Sequence, residues 1–175
     1  VGGSGTRLIA QFLIDLGVYM GQHLNDYNDN LLFTILFKRP RWQQSASTEE
    51  VRQYIRFFEK CMTGRSLDIF DYTLLASECL QKRSMPRQES VDLEIQYLKY
   101  RKLISVQQDL SWGWKEPNTQ IFIEPIAEYF PHLRYIHVMR HGLDMAYSHN
   151  RLQLKHCRRH FGVEMPVDEQ LMPVA

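Results

Sequence analysis

The order of predicted elements favours an α/β fold, in which a parallel sheet carries helices on both faces and a helical insertion. A glycine-rich loop runs directly into a helix at the start of the chain, and strand-like segments alternate with helices in the last third. A block of amphipathic helical patterns lies between these parts. Alternation of strands and helices is typical of parallel sheets, because a helix usually connects one parallel strand to the next.

The composition predicts one globular domain over residues 1–175. Hydrophobic residues make up 44% of the chain and charged residues 23%, which are ordinary values for such a domain. The formal net charge is only +1, whereas proteins that bind nucleic acid through overall basicity carry a large positive surface. We therefore expect no nucleic-acid partner, and we expect any bound anion to be held by a local site.

Cysteine spacing and hydropathy exclude several further classes. The three cysteines lie far apart and form no CxxC pair, so we expect neither a disulfide framework nor a zinc site. The segment has no apolar run of about 18 residues, so we expect no membrane span in it. We expect a cytoplasmic location.

The two ends of the chain have a different implication. The start at Val1 resembles the end of a strand, and the tail after Gly162 is short. We therefore expect an incomplete enzyme, or one that associates to cover apolar surface.

The first helix is predicted by apolar residues at helical spacing behind the glycine loop, with Gly17 as its C-cap. These residues are Leu8, Ile9, Phe12, Leu13 and Leu16. Residues 18–20 then have the pattern of a short strand.

The middle of the chain is predicted to be helical, as a cover of about residues 43–105 within the domain. Ser47 and Glu50 are spaced as a capping box, and Gly64 can end the helix that follows. The apolar stripe of that helix consists of Val51, Tyr54, Ile55, Phe58 and Met62. Two more amphipathic stretches follow, near residues 67–80 and 91–104.

Strand and helix patterns alternate again in the last third. Residues 112–115 have the pattern of a short strand, and Asn118 can cap a helix that stops at Pro131. Residues 135–139 predict a buried strand, and residues 140–142 turn from it into a last helix.

The glycine loop from Gly2 to Arg7 has the composition of a P-loop-like anion site. Small residues let backbone N–H groups point at an anion, and the helix start adds partial positive charge. A Walker A loop requires a lysine directly after its last glycine, but Thr6 follows Gly5 here. A dinucleotide-binding fingerprint requires glycine or alanine where Leu8 stands. A helix-capping turn without a ligand remains an alternative.

A second candidate anion site is formed by Arg140, which follows a predicted strand, and Ser148, eight residues later on the predicted helix. Ligands bind at the carboxyl ends of parallel strands, and the arginine fork suits phosphate oxygens. The alternative is a structural salt bridge for Arg140 and a solvated Ser148.

Together these motifs resemble the sulfotransferases that use 3′-phosphoadenosine-5′-phosphosulfate (PAPS), above all the tyrosylprotein sulfotransferases and their relatives. Ser4-Gly5-Thr6 is similar to the centre of the family's 5′-phosphosulfate loop, and Arg140 with Ser148 to its 3′-phosphate motif. Lys115-Glu116-Pro117, ahead of a helix ending in Tyr129-Phe130-Pro131, is similar to its lysine-acid-proline stretch. The resemblance covers the loop and roughly residues 112–150.

The resemblance implies transfer of a sulfuryl group from PAPS to a hydroxyl of a small molecule, sugar or peptide, with adenosine 3′,5′-bisphosphate (PAP) as product and no metal. Lys115 would stabilise the charge that develops as the S–O bond breaks. Two positions depart from the family pattern: Gly3 stands where a basic residue is common, and Arg7 where a second threonine is common. The residues expected to bind the donor are Gly3, Ser4, Gly5, Thr6, Arg7, Arg140 and Ser148.

The general base is left open by the sequence. The position of the family's glutamate falls at Gln22 or His23, and we take His23 as the first candidate because a neutral imidazole accepts a proton near pH 7. Asp26 and Asp29 are alternatives. Two other functions also stay open, a non-catalytic nucleotide-binding remnant and a P-loop kinase-like phosphotransferase, and so does oligomerisation.

Overall fold

The computed structural model of the chain describes residues 5–74, 111–139 and 141. Most of these residues are helical. The helices are α1 (Thr6–Asp15), α2 (Leu31–Phe37), α3 (Pro40–Ser45), α4 (Thr48–Thr63), a 3₁₀ helix (Pro117–Phe122) and α5 (Ile123–Tyr129). Residues 69–74 are helical as well. Helix α4 packs against both α2 and α5. Within the described ranges, no helix combines the length and the apolar character needed to span a membrane.

The predicted parallel sheet is wrong, because the described residues contain no β-strand. A single parallel bridge joins Tyr19 to Trp112. The Tyr19 amide donates to Ser111 O over 2.9 Å, and the Gly113 amide donates to Tyr19 O over 2.9 Å. The two segments predicted as strands, residues 18–20 and 112–115, therefore lie side by side but pair at only one position.

Local chain geometry explains why this pairing does not extend. Gly17 and Gly21 both have positive φ, at 85° and 105°, so the extended run that contains Tyr19 is three residues long. Its partner segment runs into the 3₁₀ helix at Pro117, whose ring leaves no amide hydrogen for a ladder. The architecture of these ranges is therefore helical, in place of the expected α/β, P-loop-like sheet flanked by helices on both faces.

The buried strand predicted at residues 135–139 is also absent. Residues 133–139 have no regular secondary structure, and Tyr135, Ile136 and Met139 are 45%, 57% and 81% exposed. A strand in a sheet requires a neighbour that accepts and donates its backbone hydrogen bonds, and the described residues supply none for this segment. The predicted helix that follows lies outside the described residues.

Helix α1 confirms the predicted first helix, but its apolar face is not the core. Gly17 follows the C-cap residue with a φ of 85°, as expected for a left-handed C-terminal glycine. Leu8, Phe12 and Leu16 are 73%, 60% and 65% exposed, whereas Ala10 is buried. The helix thus turns a row of apolar side chains spaced four residues apart toward solvent.

Helix α4 has the predicted ends. The Ser47 side chain accepts a hydrogen bond from the Glu50 amide over 3.2 Å, and Gly64 ends the helix at a φ of 68°. The reciprocal half of the capping box is missing, because the Glu50 carboxylate accepts from Trp42 Nε1 over 2.6 Å. All five residues of the predicted stripe are buried. The rest of the predicted helical cover, from residue 75 to residue 105, lies outside the described residues.

The core lies where α2, α4 and the 112–130 region meet, and it is mainly aromatic. Phe33 stacks on Phe37 with ring centroids 4.3 Å apart, and Phe58 meets Phe33 edge to face at 5.3 Å. Trp114 packs edge to face on Phe58 at 5.2 Å. Such pairs favour stacked or edge-on geometry. The core therefore holds the segment that contains Lys115 against two helices.

Replacing Ser47 with alanine should lower the free energy of unfolding by about 1 kcal/mol, because it removes the acceptor for the Glu50 amide at the start of α4. Urea denaturation followed by circular dichroism measures this change. The matched control is Ser66→Ala, since Ser66 is exposed in the loop after α4, and its effect should stay below about 0.5 kcal/mol. Equal effects of the two substitutions would show that the cap does not stabilise α4.

Candidate functional site

The glycine loop meets α1 at Gly5, the N-cap residue, which has a φ of 86°. This left-handed conformation favours glycine. The Leu8 and Ile9 amides both donate to Gly5 O, over 3.0 and 3.4 Å. The amides at the very start of a helix have no acceptor within the helix, so those of Thr6 and Arg7 are available to an anion. Gly3 and Ser4, also predicted to bind the donor, lie outside the described residues.

A cavity of about 920 Å³ lies beside the start of α1. Its lining includes Thr6 and three further residues of α1, residues 111–117 with Lys115 among them, and residues 130–138. Thr6, a predicted donor-binding residue, and Lys115, the predicted catalytic lysine, thus line the same cavity although they are far apart in sequence. Arg140 and Ser148 lie outside the described residues.

The Lys115 ammonium is held by the short loop that precedes α2. It contacts the Asp29 carboxylate and donates to Tyr27 O over 3.0 Å. The side chains of this ion pair are 14% and 17% exposed. The Lys115 carbonyl in turn accepts from the Asn30 amide over 2.8 Å. Both ends of Lys115 are therefore fixed by residues 27–30.

Asn25 gives this loop its shape. Its side-chain oxygen accepts from the amides of Tyr27 and Asp29, each over 2.9 Å, in an Asx turn. Its side-chain amide donates to Asp29 Oδ2 over 3.0 Å. Asn25 thereby fixes the Asp29 backbone and one carboxylate oxygen, while the other carboxylate oxygen contacts Lys115.

Asn28 connects the loop to α1. Its φ of 60° is a left-handed conformation that asparagine tolerates better than most residues. Its side-chain amide donates to Arg7 O over 3.4 Å and to Gln11 Oε1 over 3.2 Å. One loop thus contacts both the start of α1 and Lys115.

Asn30 joins the same loop to the core, and its side chain is fully buried. Its oxygen caps α2 by accepting from the Phe33 amide over 2.9 Å. Its amide donates to Met20 O over 3.0 Å and contacts Met62 Sδ at 3.5 Å. Sequence reasoning missed this residue, although an asparagine directly before an apolar run is a common helix start.

Glu116 is a buried carboxylate beside Lys115, and it caps the 3₁₀ helix in place of the predicted Asn118. Its two oxygens accept from the Asn118 amide over 2.6 Å and from the Asn118 side chain over 2.7 Å. Burial raises the pKa of the Glu116 carboxyl above its ordinary value, and the Asn118 bonds and the charge of Lys38 oppose that rise. The prediction of Asn118 as the cap is wrong, because the 3₁₀ helix already begins at Pro117 and its N-cap residue is Glu116.

The three candidate bases occupy different surroundings. The Asp29 carboxylate contacts Lys115. Asp26, three residues earlier, is exposed. His23 is half-buried: its Nε2 atom is shielded from solvent, and its carbonyl accepts from the Leu31 amide over 3.0 Å. Of these three, Asp29 is the residue that the structure joins to a predicted catalytic group.

Comparison with known proteins yields no relative. No protein-family model matches the chain, and neither a curated protein nor a solved structure is significantly similar to it.

The ion pair between Lys115 and Asp29 should contribute to stability, because both side chains are largely withdrawn from solvent. A double-mutant cycle with Lys115→Met and Asp29→Asn should give a coupling energy of about 1 to 3 kcal/mol in urea denaturation. The control cycle pairs Lys115→Met with Asp26→Asn, and its coupling should stay below about 0.5 kcal/mol because Asp26 is exposed. Similar coupling in both cycles would contradict a specific pair.

Proposed function

We propose that this chain is a sulfotransferase that moves a sulfuryl group from PAPS to a hydroxyl of an acceptor, in the cytoplasm. The observation that carries the proposal is the shared cavity of Thr6 and Lys115. Both were assigned to the donor from separate motifs, and they are more than a hundred positions apart in sequence. Their meeting at one cavity supports a single anionic ligand between them.

The chemistry requires a fixed donor and stabilisation of the leaving group. Sulfuryl transfer to a hydroxyl is a displacement in which the acceptor oxygen attacks sulfur opposite the leaving phosphate oxygen. The free amides of Thr6 and Arg7 would bind the 5′-phosphosulfate at the start of α1. The Lys115 ammonium would offset the charge that builds on the phosphate oxygen as the S–O bond breaks.

The rest of the proposed donor site consists of residues outside the described ranges. Gly3 and Ser4 would extend the contacts of the glycine loop to the 5′-phosphosulfate. Arg140 would pair with the 3′-phosphate, and Ser148 would add a hydroxyl donor. The acceptor is proposed only as a hydroxyl of a small molecule, sugar or peptide.

The proposal predicts that the chain binds PAP without a metal and binds ATP with magnesium much more weakly. The physical reason is that PAP carries one phosphate for the glycine loop and one for Arg140, whereas ATP has no 3′-phosphate. Isothermal titration calorimetry with the two ligands measures the difference. Equal affinity for PAP and ATP would overturn the assignment and favour a kinase-like phosphotransferase.

Two arginine variants test whether the titration reports binding of the 3′-phosphate by Arg140. Arg140→Ala should weaken PAP binding by about 2–3 kcal/mol and leave adenosine 5′-phosphosulfate, which lacks the 3′-phosphate, nearly unaffected. The matched control is Arg52→Ala, since Arg52 is an exposed residue of α4 that pairs with Glu128. Equal losses of both ligands in Arg140→Ala would show that Arg140 has a structural role.

A further inference from the structure

We propose that the acceptor is an apolar small molecule with a hydroxyl, bound in the cavity that Thr6 and Lys115 share. This inference rests on the proposed function, and it selects one of the three acceptor classes that the sequence left open. It is carried by the apolar lining of the cavity and by the hydrogen bonds that already occupy the buried polar side chains of that lining.

One face of α1 forms part of the cavity lining. Thr6, Ile9, Ala10 and Leu13 all line the cavity, and their spacing of three or four residues puts them on the same side of the helix. Leu13 lies seven residues after Thr6, which corresponds to about 10 Å along the helix axis. The face therefore begins at the proposed anion-binding end of α1 and continues away from it as apolar surface.

Helix α5 and the segments around it supply further apolar lining. Ile123 and Ile126 are three residues apart in α5, and Phe130 directly follows that helix. Other apolar lining residues are Val18, Met20, Leu133, Ile136 and Val138. An apolar molecule that displaces water from such a lining gains free energy roughly in proportion to the apolar area it covers.

The buried polar side chains of the lining are already bonded within the protein. Glu116 and Thr119 are the two polar lining residues with a buried side chain. Both Glu116 oxygens accept from Asn118, and Thr119 Oγ1 accepts from Trp114 Nε1 over 3.1 Å. A sugar has several hydroxyls, and each hydroxyl that loses water without finding a partner weakens binding. The lining therefore favours a molecule with few polar groups.

The basic side chains of residues 130–138 do not change this conclusion. His132, Arg134 and His137 also line the cavity, but all three residues are exposed. Their polar groups are therefore largely solvated and lie at the open side of the cavity. The buried part of the lining, which includes Ala10 and Ile126, remains apolar.

The arrangement defines the direction in which the acceptor binds. Its apolar body lies along the face of α1, and its hydroxyl meets the donor's sulfate at the end where Thr6 and Lys115 lie. The acceptor oxygen forms a bond to sulfur, and the bond between sulfur and the 5′-phosphate oxygen breaks. The electron pair of the broken bond leaves on PAP, and the proton of the hydroxyl is released to solvent.

The test is calorimetric titration of three acceptor probes into the full chain saturated with PAP. The probes are 1-naphthol, methyl β-D-glucoside and the tripeptide glycyl-tyrosyl-glycine. 1-Naphthol should bind at least about tenfold more tightly than the other two, because it covers apolar lining and brings only one hydroxyl into the cavity. Release of PAP from PAPS should also be fastest with 1-naphthol.

A matched pair of leucines near the end of α1 tests where the probe binds. Leu13 lines the cavity, whereas Leu16 is 65% exposed. Leu13→Gln should weaken 1-naphthol binding by about five- to tenfold, because it puts a polar group into the apolar lining, and should leave PAP binding unchanged. Leu16→Gln should change neither affinity. Ile136→Gln repeats the test at a lining residue that is 57% exposed and therefore tolerates a polar side chain.

The outcomes separate this inference from the function on which it rests. Equal or tighter binding of the glucoside or the tripeptide would overturn the apolar acceptor and leave the sulfotransferase proposal standing. Equal effects of Leu13→Gln and Leu16→Gln, together with no effect of Ile136→Gln, would show that 1-naphthol binds elsewhere and would overturn the assigned site. A chain that binds 1-naphthol but not PAP would overturn the proposed function, and with it the role of the apolar compound as acceptor.

Discussion

The buried side chain of Asn30 is the constraint on which the rest of this structure depends. It is fully shielded from water, and it joins the cap of α2 to the Met20 carbonyl and to Met62 of α4. Leaving such groups buried without partners costs about 1 to 3 kcal/mol each. The chain must therefore bring these segments together in one arrangement to satisfy a single amide. The backbone of the same residue binds Lys115 O and fixes the neighbouring segment.

The contacts of Asn30 also position the residues of the candidate site. Asp29 directly precedes Asn30, so the carboxylate that contacts Lys115 is anchored one residue from the most constrained point of the core. Asn28 extends the same loop to the start of α1. The same short polar loop contacts both α1 and Lys115, and the part of the chain that the structure describes has no sheet between them. A rigid core under a polar loop is a common way to preorganise charged groups.

Sequence patterns predicted the features that local interactions decide. Ser47 as the cap of α4 and Gly17 after α1 follow from hydrogen bonds and backbone conformations that adjacent residues determine. The prediction of a sheet was wrong because strand pairing depends on residues far apart in sequence. The apolar run at residues 135–139 has the pattern of a strand but has no partner strand in the described ranges. The contact of Asp29 with Lys115 spans 86 positions, and no spacing rule reaches that far. The motif residues Arg140 and Ser148 remain predictions.

The most direct test of this account is hydrogen exchange by mass spectrometry in Asn30→Ala under native conditions. If the Asn30 side chain holds both α2 and the segment that ends at Met20, backbone protection should fall together in residues 31–37 and at Tyr19 and Gly113, whose amides pair beside Met20. The Asn30 amide that donates to Lys115 O is retained in this variant. Protection that falls only in residues 31–37, or in neither segment, would contradict the claim that one buried amide positions the candidate site.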